Sequence, residues 1–160
     1  MIKLKGWFGP YLALTIRLAL MLLLYGILRL GFYGFNMAQF PQVSFSELMY
    51  MMAGGVKFDI VALLYINILY ILLVSFPVPF KYNPLFSKIS KWVFVVSNSI
   101  GIALNLVDFA YYPFTLKRTT GTVFGQFANE ENLGKLFLDF GLEYWYLVVF
   151  FVLIVWGLIK

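Results

Sequence analysis

The sequence contains neither cysteine nor histidine. That excludes disulfides, thiolate and imidazole metal sites, and nucleophilic machinery of the Ser–His or Cys–His kind. Charge is scarce as well: Asp, Glu, Lys and Arg make up 12% of the 160 residues, where a soluble domain carries about a quarter. Hydrophobic residues make up 62%, and the mean hydropathy is +0.89. A soluble fold of this size keeps much of its surface in water and has no room to hide so much apolar area. Lipid as solvent removes the conflict, so composition predicts an integral membrane protein. The formal charge of +5 does not point to nucleic acid. The basic residues stand at the ends of apolar runs, where they meet lipid headgroups and the cytoplasmic face.

Four apolar runs predict an all-α membrane protein, a polytopic helical bundle of about four spans with one or two interfacial amphipathic helices. The first run covers about 11–35. It follows a basic start, Met1 to Lys5, but is too long for the core of a cleavable signal peptide. The second covers 56–76 and stops before Pro77 and Pro79; the third covers 89–112 and stops at Pro113. The fourth covers 144–160. It is short for a span, which favours a chain cut inside a longer protein.

Two connections carry helical signals of their own. Ser44 and Glu47 have capping-box spacing, followed by Leu48, Met49, Met51 and Met52 and then Gly54-Gly55. This predicts an interfacial helix over 44–53 and a glycine hinge. In the longest connection Leu133, Leu136, Phe137 and Phe140 recur at helical spacing, which predicts a second interfacial helix over 129–140.

Lys3 and Lys5 precede the first run, Lys81, Lys88 and Lys91 surround the 77–88 loop, and residues 36–55 hold no Lys or Arg. Cytoplasmic loops are rich in Lys and Arg. The N-terminus and the 77–88 loop are therefore expected in the cytoplasm, and the 36–55 and 113–143 connections outside. Tyr11, Trp92, Tyr111, Tyr112, Tyr144, Trp145 and Tyr146 fall near span ends, as an aromatic belt does.

Charges inside spans are costly and find partners or wet cavities. Arg17 lies toward the cytoplasmic end of the first span, from which its stem can snorkel. Arg29, Lys57, Asp59, Asp108, Lys117 and Arg118 converge near the outer end. Charge compensation is the plainer reading, with Arg29 paired to Asp59 or Asp108; the sharper one is that the basic members hold an anionic lipid headgroup. Asn98, Gly101, Asn105, Asp108 and Tyr112 share one face of the third span, with Asn67 on the second as a natural partner.

Two stretches carry a resemblance. Gly55-Val56-Lys57-Phe58-Asp59 with Ala62 to Asn67, and Asn105-Leu106-Val107-Asp108-Phe109 through Thr120, resemble the membrane domain of the lipoteichoic acid synthase family, notably its Bacteroidetes-type sulfatase-like members. The resemblance implies a bacterial inner (cytoplasmic) membrane protein whose spans precede an extracytoplasmic phosphoglycerol transferase domain. That domain would hold a divalent metal such as manganese, use a Thr nucleophile and act on an anionic phospholipid. This chain offers no His for such a metal and no assignable nucleophile, since Thr119, Thr120 and Thr122 lie in a connection between runs. It is therefore expected to carry no cofactor, and its partners are membrane lipids and the catalytic domain that would follow. A transporter or channel fragment and a purely structural membrane subunit are the competing classes.

Overall fold

The structure, a computed structural model, describes residues 9–75, 83–119, 138 and 141–160. Among the described residues five α-helices have defined bounds: α1 (Gly9–Phe35), α2 (Phe45–Ile66), α3 (Ile68–Ser75), α4 (Pro84–Thr115) and α5 (Trp145–Ile159), with a 3-10 turn at Met37–Gln39. No strand occurs among the described residues.

Contacts between helices fix their directions. Arg29 near the end of α1 meets the middle of α2, Arg17 meets Tyr70 of α3 and Phe94 of α4, and Gly31 faces Phe109. So α1 and α4 run one way and α2 with α3 the other. The Lys91 ammonium donates to the Ile159 carbonyl, which sets α5 antiparallel to α4. One end of the bundle, here the near end, gathers Gly9, Ser75, Pro84 and Ile159. The far end gathers Phe35, Phe45, Thr115 and Trp145.

The bundle is an all-α membrane protein. Its interior is narrow: Met21, Tyr25 and Leu28 of α1 pack on Leu63, Tyr70, Val74, Phe94, Ile102, Leu106 and Phe109. Outward faces carry large apolar side chains such as Leu23, Phe58, Val96 and Trp156, all more than a third exposed. In water such a surface would aggregate; in lipid it is solvated. Three helices, α1, α2 and α4, are long and apolar enough to cross a membrane, whereas α5 has 15 residues. At 1.5 Å per residue α1 is about 40 Å long and α5 about 22 Å, against a hydrocarbon core of about 30 Å.

The structure departs from the sequence reading at three places. First, there is no separate helix over 44–53 and no glycine hinge. Ser44 does cap the helix: its Oγ accepts from Glu47 N, and its own N–H donates to Glu47 Oε2 at 2.8 Å. But α2 then runs unbroken through Gly54 and Gly55 to Ile66. A Cβ added at Gly54 would meet nothing, while one added at Gly55 would coincide with the Arg29 guanidinium. Gly55 is a seat for Arg29, and the contacts it permits offset the helix-propensity loss of about 1 kcal/mol.

Second, the irregularity falls at Asn67. Its backbone N–H and its Nδ2 both donate to the Leu63 carbonyl, each at 3.0 Å. Asn98 and Asn105 make the same bond to the carbonyl four residues back inside the unbroken α4, so this bond alone does not end α2. The path resumes at once, because Ile71 N–H donates to Asn67 O at 2.8 Å.

Third, the helix of the third span does not stop at Pro113 but carries it inside, ending at Thr115 with Leu116 in the left-handed conformation at φ 53°. Proline leaves the carbonyl four residues back without its helical donor. That carbonyl, Phe109 O, accepts from the buried Asn36 Nδ2 at 3.4 Å. At the other end of α4, Asn83 Oδ1 accepts from Leu85 N at 2.9 Å and Pro84 opens the helix. The expected helix over 129–140 lies outside the described residues except for Leu138.

The two glycines separate propensity from packing. Gly54→Ala should leave stability unchanged or raise it by up to about 1 kcal/mol. Gly55→Ala should lower it by about 1–3 kcal/mol, because the Arg29 side chain must leave its seat. Reversible unfolding in mixed detergent micelles measures both; equal effects would contradict the seat.

Candidate functional site

At the far end the six charged residues singled out in the sequence sort into two ion pairs and two lysines. Arg29 reaches from α1 to the exposed backbone of α2. Its Nη2 donates to Gly55 O at 2.6 Å and pairs with Asp59 Oδ1 at 2.5 Å, and its Nη1 donates to Met52 O at 3.3 Å. Both side chains are mostly buried, at 14% and 13% exposure. The helix makes this possible by placing Gly55 and Asp59 one turn apart on one face, so that one guanidinium spans both. The second carboxylate oxygen, Asp59 Oδ2, is buried without a hydrogen-bond partner among the described residues.

Asp108 does not pair with Arg29. It faces the chain that leaves α4: Oδ2 accepts from Arg118 Nε at 2.7 Å and Oδ1 from Thr119 N at 2.6 Å. Arg118 also donates to Asn105 Oδ1 at 3.2 Å and lies over the Phe32 ring at 5.2 Å. Leu116 turns the backbone through its left-handed conformation, and the Asp108 carboxylate holds the returning strand of chain. Asp108 is buried, whereas the Arg118 side chain is 47% exposed. Removing the carboxylate therefore frees two donors and leaves an Arg118 charge that water or headgroups can reach, whereas removing Arg118 strands a buried carboxylate. Lys57 and Lys117 are exposed and make no ion pair among the described residues.

Around these pairs lies a ring cluster. Phe32 meets Phe109 and Tyr112 edge-on at 6.0 and 5.0 Å, and Phe40 stacks on Tyr112 at 5.6 Å. Phe35 touches Tyr144 and Tyr146 at 6.4 and 6.2 Å, which brings the start of α5 to the same end.

The polar stripe of α4 faces inward. Asn67 Nδ2 donates to Asn98 Oδ1 at 3.0 Å, and Asn98 Nδ2 returns a bond to Asn67 Oδ1 at 2.7 Å. Their remaining amide hydrogens go to Leu63 O and Phe94 O. All four amide N–H groups are thus used at two fully buried residues. One turn farther along, Gly101 takes the Tyr25 hydroxyl and Ile66 against its backbone, and Asn105 Nδ2 donates to Gly101 O at 2.9 Å.

Three residues had roles the sequence reading did not assign. Tyr70 receives Arg17 Nη1 on its hydroxyl at 2.5 Å, so Arg17 turns into the bundle instead of only snorkelling. Asn36 covers the carbonyl that Pro113 frees, and Tyr25 fills the notch at Gly101. A proline near a helix end is a signal that some donor must replace its missing N–H, but it does not say which. Among the described residues no three of Asp, Glu, His or Cys converge.

No family model, curated protein or solved structure matches this chain.

The Asp108 clamp has a direct check. Asp108→Asn should destabilise the bundle by about 1–3 kcal/mol, since it replaces a buried acceptor of two donors. Glu143→Gln, at an exposed residue of the same end, should stay within about 0.5 kcal/mol. Unfolding in micelles compares the two, and a larger loss for Glu143→Gln would refute the clamp.

Proposed function

We propose that this chain is the membrane-embedded part of a sulfatase-like phosphoglycerol or phosphoethanolamine transferase, and that it anchors an extracytoplasmic catalytic domain beside its lipid substrate. The reading rests on the resemblance of 55–67 and 105–120 to the lipoteichoic acid synthase family. One observation favours it: those two stretches meet at the same end of the bundle and supply its ion pairs, Asp59 to Arg29 and Asp108 to Arg118. The exposed Lys57 and Lys117 stand at that end too. Two lysines at a headgroup layer attract an anionic lipid by about 1 kcal/mol each. In this reading the near end, with Arg17, Lys88, Lys91 and Lys160, is cytoplasmic, and the membrane is the bacterial inner membrane.

A transport role is the second reading, favoured by the interruption at Asn67. Transporters bind substrates where broken helices meet near mid-membrane. Here, however, the amide donors of Asn67 and Asn98 are spent on each other and on two carbonyls. No substrate group gains a donor there without breaking the pair.

The natural gene product in its own membranes tests the proposal. Labelled phosphatidylglycerol should release diacylglycerol, and Lys57→Gln with Lys117→Gln should raise the apparent KM for that donor roughly tenfold. No release would reject the transferase reading. Release with an unchanged dependence on donor would leave anchoring as the role of this end. A cysteine at Lys117 labelled only from the cytoplasm would reverse the orientation.

A further inference from the structure

The described acidic residues lie at one end of this bundle. Residues 1–46, 60–107 and 144–160 contain no Asp or Glu. The described acids Glu47, Asp59, Asp108 and Glu143 belong to the far end, and the other three lie in sequence between Thr119 and Glu143. Among the described residues the near end has basic side chains and no acidic ones. Lys91 donates to the Ile159 carbonyl of α5, and Lys160 sits over Trp156 at 5.0 Å. Arg17 differs from these because it lies within α1, eight residues past Gly9, or about 12 Å along the axis.

The Arg17 guanidinium is held from three sides. Nη1 donates to Tyr70 Oη at 2.5 Å, and the group stands 5.8 Å from the Tyr70 ring centre and 5.7 Å from that of Phe94. Tyr70 and Phe94 are buried and pack on each other at 5.0 Å, so this wall is rigid. A phenol and two rings orient a cation without neutralising it. Of five guanidinium N–H donors, one is used among the described residues. A charge at this depth is costly unless an anion meets it. Among the described residues no acidic side chain pairs with Arg17, and the anion that a bilayer supplies at this level is a lipid phosphate.

We propose that Arg17 is a binding site for the phosphate of an anionic phospholipid in the leaflet at the near end, with Tyr70 and Phe94 fixing the guanidinium to receive it. The free edge of the fork binds two phosphate oxygens at once, and Tyr70 lowers the ordering loss by holding the side chain in place beforehand. The exposed Lys88 adds attraction for a negative headgroup at the same end. This site stands at the opposite end from Lys57 and Lys117 and does not depend on the transferase reading. Its lipid is a bound structural lipid that is not turned over.

Native mass spectrometry of the purified full chain in detergent, titrated with phosphatidylglycerol or phosphatidylcholine, tests this. The wild type should retain phosphatidylglycerol roughly fivefold better. Arg17→Gln should bring the two lipids to near parity. Arg17→Lys should fall between, since an ammonium lacks the fork. Tyr70→Phe keeps both the charge and the ring, and should weaken the preference by releasing the guanidinium; it carries the test if Arg17→Gln does not fold. A preference unchanged in Arg17→Gln, or in Tyr70→Phe where that variant carries the test, would overturn the site and assign the selectivity to the basic end as a whole. Displacement of the lipid by millimolar inorganic phosphate would overturn the lipid as its source.

Discussion

A guanidinium inside an apolar solvent has to find its partners within the chain, and Arg29 sets much of this bundle by doing so. Its two nitrogens bind two carbonyls and one carboxylate of a single neighbouring helix. That demands a helix whose backbone can be approached, which Gly55 provides, and an acid one turn on, which Asp59 provides. The same contacts remove the reason for α2 to bend at its glycines. The far-end half of the α1–α2 contact thus follows from one side chain, and α4 is left free to use Asp108 for the chain beyond it.

Other polar groups obey the same constraint at successive depths. The Asn67–Asn98 pair closes on itself in the bundle centre, and Asn36 supplies the donor that Pro113 lacks. Arg17 differs from Arg29 in its partners. It is placed as carefully as Arg29, about 18 Å away along α1, but its protein partners are a phenol and two rings. Four of its five N–H donors are unused among the described residues.

Much of this architecture was legible in the sequence because it follows from burial and periodicity. The boundaries of α1, the inward stripe Asn98–Gly101–Asn105–Asp108 and the Ser44–Glu47 cap all follow from spacing alone. The choice between Asp59 and Asp108 for Arg29 was not legible, because both lie at the right depth and only helix rotation separates them. The glycine hinge misread Gly54-Gly55: glycine permits flexure, but it also permits close approach, and a sequence does not say which is used. The roles of Tyr70 and Asn36 depend on contacts across 53 and 73 residues of chain, which no local pattern encodes.

The account rests on Arg29 and Asp59 acting as one unit, and a double-mutant cycle measures that directly. Arg29→Met and Asp59→Leu are made singly and together, and the free energy of unfolding is read in mixed micelles. Each single change strands a buried charge and should cost about 3–5 kcal/mol. The double variant removes both charges and should be more stable than either single one, with a coupling energy of about 2 kcal/mol or more. Additive losses in the double variant would show that the two residues act independently and would contradict the account.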